Sequence, residues 1–401
     1  MHRLAAAALA LVLVAAACGG DGDDETSADT SPPTSAAPTT AATTSAPATT
    51  AAPEPAATEP PATTAATTTA PSTTTSTTTA PTPTIALPDV TTIVGETELG
   101  AGFVLGASLA APVVWIAAPV DGTDVVGCEG LPAETLWAQA TDGSTREAAL
   151  PEDPDLVGVS DVRPLLDGRV LLIRACEGFL VDAWLGTDDG TGVVRDVEQL
   201  ELSDSAVFST IRVGSDRVTF VEGDPFGATG GSLIELDLAS GARNVLVDGD
   251  IRDAVALSTG NLVYRTSTEL FVSGFSLGTF PETGPFSFTF EPDLGNENVA
   301  VSLADGLAVY VGSEDELIAV LAEDVAVLDW HPSGEAVLVN GPFDAEEPAP
   351  PRIVLLDGTT VPLPVTADVV NGAFTGDGLA VVMSTFADDG EIVTTAYAFA
   401  G

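Results

Sequence analysis

A tight turn followed by a β-branched run recurs along the C-terminal part of the chain, and it restricts the fold more than any other feature. It reads Leu166-Asp167-Gly168-Arg169-Val170-Leu171-Leu172-Ile173, then Gly214-Ser215-Asp216-Arg217-Val218-Thr219-Phe220 and Ser258-Thr259-Gly260-Asn261-Leu262-Val263-Tyr264. It returns as Ala304-Asp305-Gly306-Leu307-Ala308-Val309-Tyr310, as His331-Pro332-Ser333-Gly334-Glu335-Ala336-Val337-Leu338, and as Thr375-Gly376-Asp377-Gly378-Leu379-Ala380-Val381-Val382. Gly and Asp supply the turn geometry of a hairpin, and the Val-rich runs suit strands. Aligned on positions 168, 216, 260, 306, 334 and 378, the units are spaced by 48, 44, 46, 28 and 44 residues.

Most of these spacings match the length of a four-stranded propeller blade. The 28 marks either a clipped blade or a misplaced anchor between 306 and 334. An earlier strand, Val113-Val114-Trp115-Ile116-Ala117-Ala118, would open another blade before position 168. Residues 87–401 number 315, or seven units of 45, and no helix of ten or more residues interrupts the pattern. The expected fold is therefore all-β: a β-propeller of four-stranded blades over residues 85–401, seven in number, with six as the alternative. Propeller blades pack face to face and the ring must close. The chain ends on the strand Ile392–Phe399, so a strand near Thr91-Thr92-Ile93-Val94 is expected to complete the last blade and remove exposed edges.

The segment Leu328-Asp329-Trp330-His331-Pro332-Ser333-Gly334-Glu335-Ala336-Val337-Leu338 resembles the aromatic-x-Pro-Asp-Gly turn and strand of WD-like and TolB-like propeller repeats, with Ser333 in place of Asp. Ala373-Phe374-Thr375-Gly376-Asp377-Gly378 is similar without the Pro, and Leu233–Arg243 resembles the strand and turn that follow in each blade. The resemblance implies a fold, and propellers host many unrelated functions.

The first residues read as a secretory signal: Arg3, then the apolar run Leu4–Ala17, then small residues before a cut. This run of 14 residues is too short to span a ~30 Å hydrocarbon core. Val14-Ala15-Ala16-Ala17-Cys18 resembles the lipobox of bacterial lipoproteins, with Ala15 where that family usually has Leu. The resemblance implies that residues 1–17 are removed and that Cys18 carries a lipid. Residues 18–84 then form a Thr/Ala/Pro-rich disordered stalk, since Thr26 to Pro83 has no aromatic residue and no apolar periodicity. About 60 such residues reach ~45 Å as a flexible coil and up to ~190 Å extended. The stalk is either a plain linker or an O-glycosylated one. The expected location is extracytoplasmic, anchored by lipid to the outer face of the cell membrane.

Composition removes several chemistries. The chain carries 59 acidic and 12 basic residues, a net charge of −47, and every basic residue is Arg. Such a polyanion repels nucleic acid and anionic headgroups. Without Lys there is no Lys-type phosphate loop, no Schiff base and no Ser-x-x-Lys nucleophile. After Cys18 only His331 remains, so multi-His zinc sites are excluded. No Gly-x-Ser-x-Gly elbow is present. Carboxylate chemistry stays open, as in glycosidases, but no pair stands out. Cys128 and Cys176 share the tripeptide Cys-Glu-Gly 48 residues apart. Outside the cytoplasm they are expected to form a disulfide contributing about 4 kcal/mol by loop closure.

His331 sits inside a repeated turn without nearby catalytic partners and is expected to be structural. Phe271, Phe275, Phe280, Phe286, Phe288 and Phe290 fall within twenty positions and suggest blade packing, or else an aromatic patch for a glycan or protein. Asp248–Asp253 and Asp188-Asp189-Gly190 are only fragments of calcium loops. No catalytic set, metal site or cofactor is expected. The expected function is a monomeric binding or scaffolding module that holds a protein or cell-wall glycan by a propeller face. A carboxylate-dependent glycan hydrolase or lyase on the same fold is the alternative.

Overall fold

A computed structural model describes residues 85–401 apart from 125–131, 153–155, 177–178, 204, 215, 225–229, 280–289, 296, 304–305, 324, 342–348, 366–367 and 388–389. These residues form seven four-stranded antiparallel sheets. Blade 1 holds β2 (Phe103–Ala107), β3 (Val113–Asp124), β4 (Pro132–Ala140) and β5 (Arg146–Ala148). Blade 2 holds β6 (Asp161–Pro164), β7 (Arg169–Cys176), β8 (Phe179–Asp188) and β9 (Val194–Leu200). Blade 3 holds β10 (Arg212–Val213), β11 (Arg217–Asp224), β12 (Gly230–Asp237) and β13 (Arg243–Ile251). Blade 4 holds β14 (Asp253–Ala256), β15 (Leu262–Arg265), β16 (Glu269–Val272) and β17 (Phe275–Thr279). Blade 5 holds β18 (Phe290–Pro292), β19 (Asn298–Leu303), β20 (Gly306–Val311) and β21 (Glu316–Leu321). Blade 6 holds β22 (Ala326–Trp330), β23 (Ala336–Asn340), β24 (Arg352–Leu355) and β25 (Thr360–Pro362). Blade 7 joins β26 (Val369–Phe374), β27 (Ala380–Phe386) and β28 (Ile392–Ala400) to β1 (Asp89–Ala101) from the other end of the chain.

The second strand of each blade is apolar on both faces because a neighbouring blade covers each side. In β23, all five residues Ala336-Val337-Leu338-Val339-Asn340 are buried. The cores accordingly lie between blades. Val113, Trp115 and Leu136 of blade 1 pack on Val162, Val170 and Leu172 of blade 2. Val104, Val114 and Ile116 of blade 1 pack on Ala373, Val382 and Ala396 of blade 7.

Closure follows the expected route but uses a longer strand. β1 pairs antiparallel with β28 from Asp89 opposite Ala400 to Ala101 opposite Val393. The chain then passes through Gly102 into β2. A Cβ there would come within 2.5 Å of the Ala117 oxygen, and the left-handed φ values of Gly102 (+124) and Gly100 beside it (+97) favour glycine.

The turn between the first and second strand recurs seven times, opening at Ser108, Leu165, Gly214, Leu257, Asp293, His331 and Thr375. In each, the first residue's N–H bonds back across the turn: Ser108 to Val113, Leu165 to Arg169, Gly214 to Arg217, Leu257 to Asn261, Asp293 to Asn298, His331 to Ala336 and Thr375 to Ala380. The true steps are thus 57, 49, 43, 36, 38 and 44. The irregular spacing of 28 came from a misplaced anchor. Gly306 opens β20 and belongs to the β19–β20 hairpin at the opposite end of blade 5, whereas the equivalent turn spans Asp293–Glu297. Val113–Ala118 likewise lies in the second strand of its blade, with β2 preceding it.

Candidate functional site

The first strand of every blade lines the ring's centre, since β2 meets β26 and β6, β14 meets β18, and β22 meets β18 and β26. On four of these strands the residue two places before the turn is charged: Arg163, Arg212, Glu291 and Asp329. Four places before the turn stand Asp161 and Asp253. Side chains two apart on a strand share a face, so the two positions build one cluster of two guanidinium groups and four carboxylates.

The contacts run from blade to blade. Arg163 pairs with Asp161 at 2.6 Å and donates from Nη1 to the Ile211 oxygen of blade 3 at 2.8 Å. Arg212 of blade 3, 7% exposed, reaches Glu291 of blade 5 at 3.9 Å. Trp330 of blade 6 donates its indole N–H to the Glu291 backbone oxygen at 2.6 Å. Asp329 accepts the Trp330 N–H at 2.8 Å and, through its other oxygen, the Phe374 N–H of blade 7 at 2.6 Å. Asp253, 6% exposed, accepts the Ala254 N–H at 2.8 Å.

Burial sets the electrostatics. Loss of water pushes the Asp329 carboxyl up to about 7, helped by Glu291 and Asp161 and opposed by its two backbone hydrogen bonds. Burial also pushes Asp253 up to about 6 against the pull of Arg212 and Arg265. Arg212 is lowered, first by burial and then by Arg163 beside it. Burial works against the Arg163 charge too, but Asp161, Glu291 and Asp253 outweigh it and raise its pKa. The centre therefore holds carboxyls poised to exchange protons near neutral pH, in electrostatic contact with fixed guanidinium charges.

Sequence placed none of these six in a common site: Asp253 entered only as the end of a calcium-loop fragment, and Asp329 only within the repeat resemblance. Each lies in a short strand, one or two per blade, dozens of residues from its spatial neighbours. The available signal was positional: a charge two or four places before five of the seven repeated turns.

The residues that sequence did single out lie elsewhere. His331 is fully buried between blades 6 and 7, edge-on to Phe374 with ring centres 5.0 Å apart. Its Nδ1 accepts the Ser333 N–H at 3.1 Å, which leaves Nε2 to donate to the Gly378 oxygen at 3.1 Å. Burial lowers its pKa, so the ring is neutral. Asp188 accepts the N–H groups of Gly190 and Gly192 at 2.9 and 3.0 Å, and its other oxygen accepts the Ser108 hydroxyl of blade 1. Among the described residues, no group of three or more His, Cys, Asp or Glu is placed to hold a metal ion. Phe271 stacks on Tyr264 at 5.1 Å, while Phe275 is 78% exposed. Phe280, Phe286 and Phe288 lie outside the described residues, as does the side chain of Phe290. Cys18 and Cys128 also lie outside them; Cys176 ends β7, and Cys128 falls in the chain between β3 and β4, the corresponding connection of blade 1.

No family model matches the chain, and no curated protein matches it in sequence. Its similarity is to solved structures. The crystal structure of oligogalacturonate lyase from Vibrio parahaemolyticus superposes with a TM-score of 0.51 at 10% identity, covering 78% of this chain and 95% of that one. An oligogalacturonate lyase in complex with manganese gives 0.53 at 9% identity, covering 79% and 95%. At such identities the likeness establishes architecture, and the chain is a seven-bladed β-propeller.

Proposed function

We propose that the protein is a surface-displayed binding or scaffolding module. In this reading residues 1–17 are removed, Cys18 is lipidated, residues 18–84 are the spacer, and the ring over 85–401 is held at the outer face of the cell membrane. The carrying observation is where the chain enters the ring. β1 starts at Asp89 opposite Ala400, and the Phe399 N–H bonds to the Leu379 oxygen at 2.8 Å, so the entry lies on the face of the tight turns. The long connections 149–160, 201–211 and 341–351 leave from the other face. Long connections on a rigid scaffold are where binding residues concentrate, and here they face away from the point of attachment. A protein or wall glycan is the partner class. Cys128 and Cys176, 48 residues apart, would form a disulfide that constrains the unfolded chain.

Photo-crosslinking groups at Glu152, Glu201 and Pro350, compared with Asp142, Asp216 and Asp357 on the turn face, test this in intact cells. Adducts confined to the first set support the reading. Equal labelling of both sets, or a Cys18→Ala protein that stays with the membrane fraction, sinks it.

A second reading is a glycan-active hydrolase or lyase working at the channel cluster. It is supported by the raised Asp329 and Asp253 carboxyls, which suit acid–base catalysis near neutral pH. Release of new ends from oligogalacturonate, lost on Asp329→Asn or Asp253→Asn, would favour it over pure binding.

A further inference from the structure

The outermost strand of a blade exposes a row of backbone donors and acceptors that can template another chain. Six of the seven outer strands here carry a guard. β1 has Asp89, Glu96 and Glu98; β5 has Arg146 and Glu147; β9 has Arg195, Asp196 and Glu198. β13 has Arg243, Asp248 and Asp250, β21 has Glu316, and β25 is three residues long and ends on Pro362. β17 reads Phe275-Ser276-Leu277-Gly278-Thr279, with no charge and no proline. Its Phe275 is 78% exposed and its Leu277 is 38% exposed. The one irregularity, a register shift where Ser276 and Gly278 pair with consecutive residues of β16, makes Leu277 the extra residue rather than adding a charge.

We propose that the β17 edge is a docking site for an extended segment of a basic partner protein, which adds to blade 4 as a further strand. The chemistry of the occupant follows from two features. Phe275 and Leu277 call for apolar side chains on the incoming strand, which gain by covering them. The chain's charge of −47 calls for positive residues flanking that strand. The same charge opposes a second copy of this chain, because two such copies repel. Main-chain pairing supplies affinity in this mode and side-chain contacts supply selectivity. The site lies at the rim of the ring, apart from the channel and from the long connections, so it stands or falls independently of the function proposed above.

The test uses a synthetic decapeptide alternating Val and Lys, labelled for fluorescence anisotropy, with a Val/Glu peptide as control. The intact chain is expected to bind the Val/Lys peptide and not the Val/Glu peptide. Leu277→Lys and Phe275→Lys, which install the guard that the other edges have, are expected to weaken binding at least tenfold with unchanged melting curves. Exchange at the β17 amides that do not face β16 should slow only when peptide is present. Equal binding by the Lys variants overturns the proposal, because attraction to the acidic surface at large would then account for it. Protection of those outward-facing amides in the free monomer overturns it as well, since the chain itself would cover the edge. A wild-type dimer dispersed by Leu277→Lys assigns the edge to a second copy and overturns the basic partner.

Discussion

Aspartate does opposite work at the periphery of this ring and at its centre. Asp142, Asp189, Asp237 and Asp357 lie in hairpin turns, and each accepts the backbone N–H two residues on: Ser144, Thr191, Ala239 and Thr359. Hydrogen bonds to the ionised form hold all four below the usual carboxylate range. Asp253 and Asp329 also accept backbone N–H groups, from the next residue and for Asp329 from Phe374 as well, yet burial drives them up to about 6 and about 7. Both sets accept backbone N–H groups, and desolvation decides the sign. Part of the chain's acidity is thus turn chemistry, so a carboxylate in a turn does not by itself mark a site. The few at the centre are distinguished by position alone.

The sharpest way to break this contrast is to remove one cation from each region. Arg163→Ala takes the counter-charge from Asp161 and the hydrogen bond that joins blade 2 to the Ile211 oxygen of blade 3. Breaking a partly buried pair leaves uncompensated charge, and the expected loss is about 2–4 kcal/mol of stability by denaturant titration. Arg195 on the outer surface pairs with Glu152 at 2.8 Å and Asp189 at 2.9 Å, but its side chain is 42% exposed. Arg195→Ala should leave the unfolding midpoint nearly unchanged, because water already screens such pairs. Equal losses in the two variants would mean that the centre is no more desolvated than the rim.

Acid titration of stability separates the two classes by sign. For Asp329 and Asp253 the folded pKa is raised, so the native state binds more protons than the unfolded state between about pH 4 and 7. Stability from these groups therefore falls as pH rises through that window, by an amount on the order of 1–3 kcal/mol. The turn aspartates have lowered folded pKa values. Their contribution is present above the unfolded value of 3.8 and is lost as pH falls further. Melting temperature should climb on acidification from pH 8 to 5 and drop below about pH 4. Relief of the overall negative charge also favours the upper limb, so the diagnostic is Asp329→Asn. Its stability relative to wild type should improve steadily from pH 5 to 8. Parallel curves for the two proteins would remove Asp329 from the account.

How much of this was legible depends on how local each signal is. The hairpins were legible because Asp-Gly and Ser-Gly turns and the Val-rich strands after them are contiguous. The same locality produced the misaligned blade: Ala304-Asp305-Gly306 at one end of blade 5 has the chemistry of a turn at the other end. The genuine turn, Asp293–Glu297, lacks that Asp-Gly pair and instead uses the Asp293 side chain to accept the Glu297 N–H at 2.8 Å. Closure by an N-terminal strand was legible because a chain ending on a strand leaves an edge to be filled. The channel cluster was not, since Asp161 and Asp329, 168 residues apart in sequence, influence each other only across the assembled ring. The structural role of His331 was half legible. Its place in the turn argued for structure, but its contact across to Gly378 is a property of the ring.

The smallest expected effect tests whether the outer aspartates matter one by one. Asp357 accepts the Thr359 N–H at 2.8 Å in the turn between β24 and β25, where Gly358 has a φ of +84. Asp357→Asn keeps a side-chain oxygen that can make the same turn bond, whereas Asp357→Ala does not. Because the turn is solvent-exposed, water replaces the lost acceptor, and the Ala variant should melt within about 2 °C of wild type at pH 7. That difference should shrink as pH falls below 3.8, because protonation weakens the bond in the wild type. An Asp357→Ala loss as large as that of Arg163→Ala would show that the turns, rather than the packed centre, hold the ring together. It would then be the periphery whose acidity needs a functional explanation.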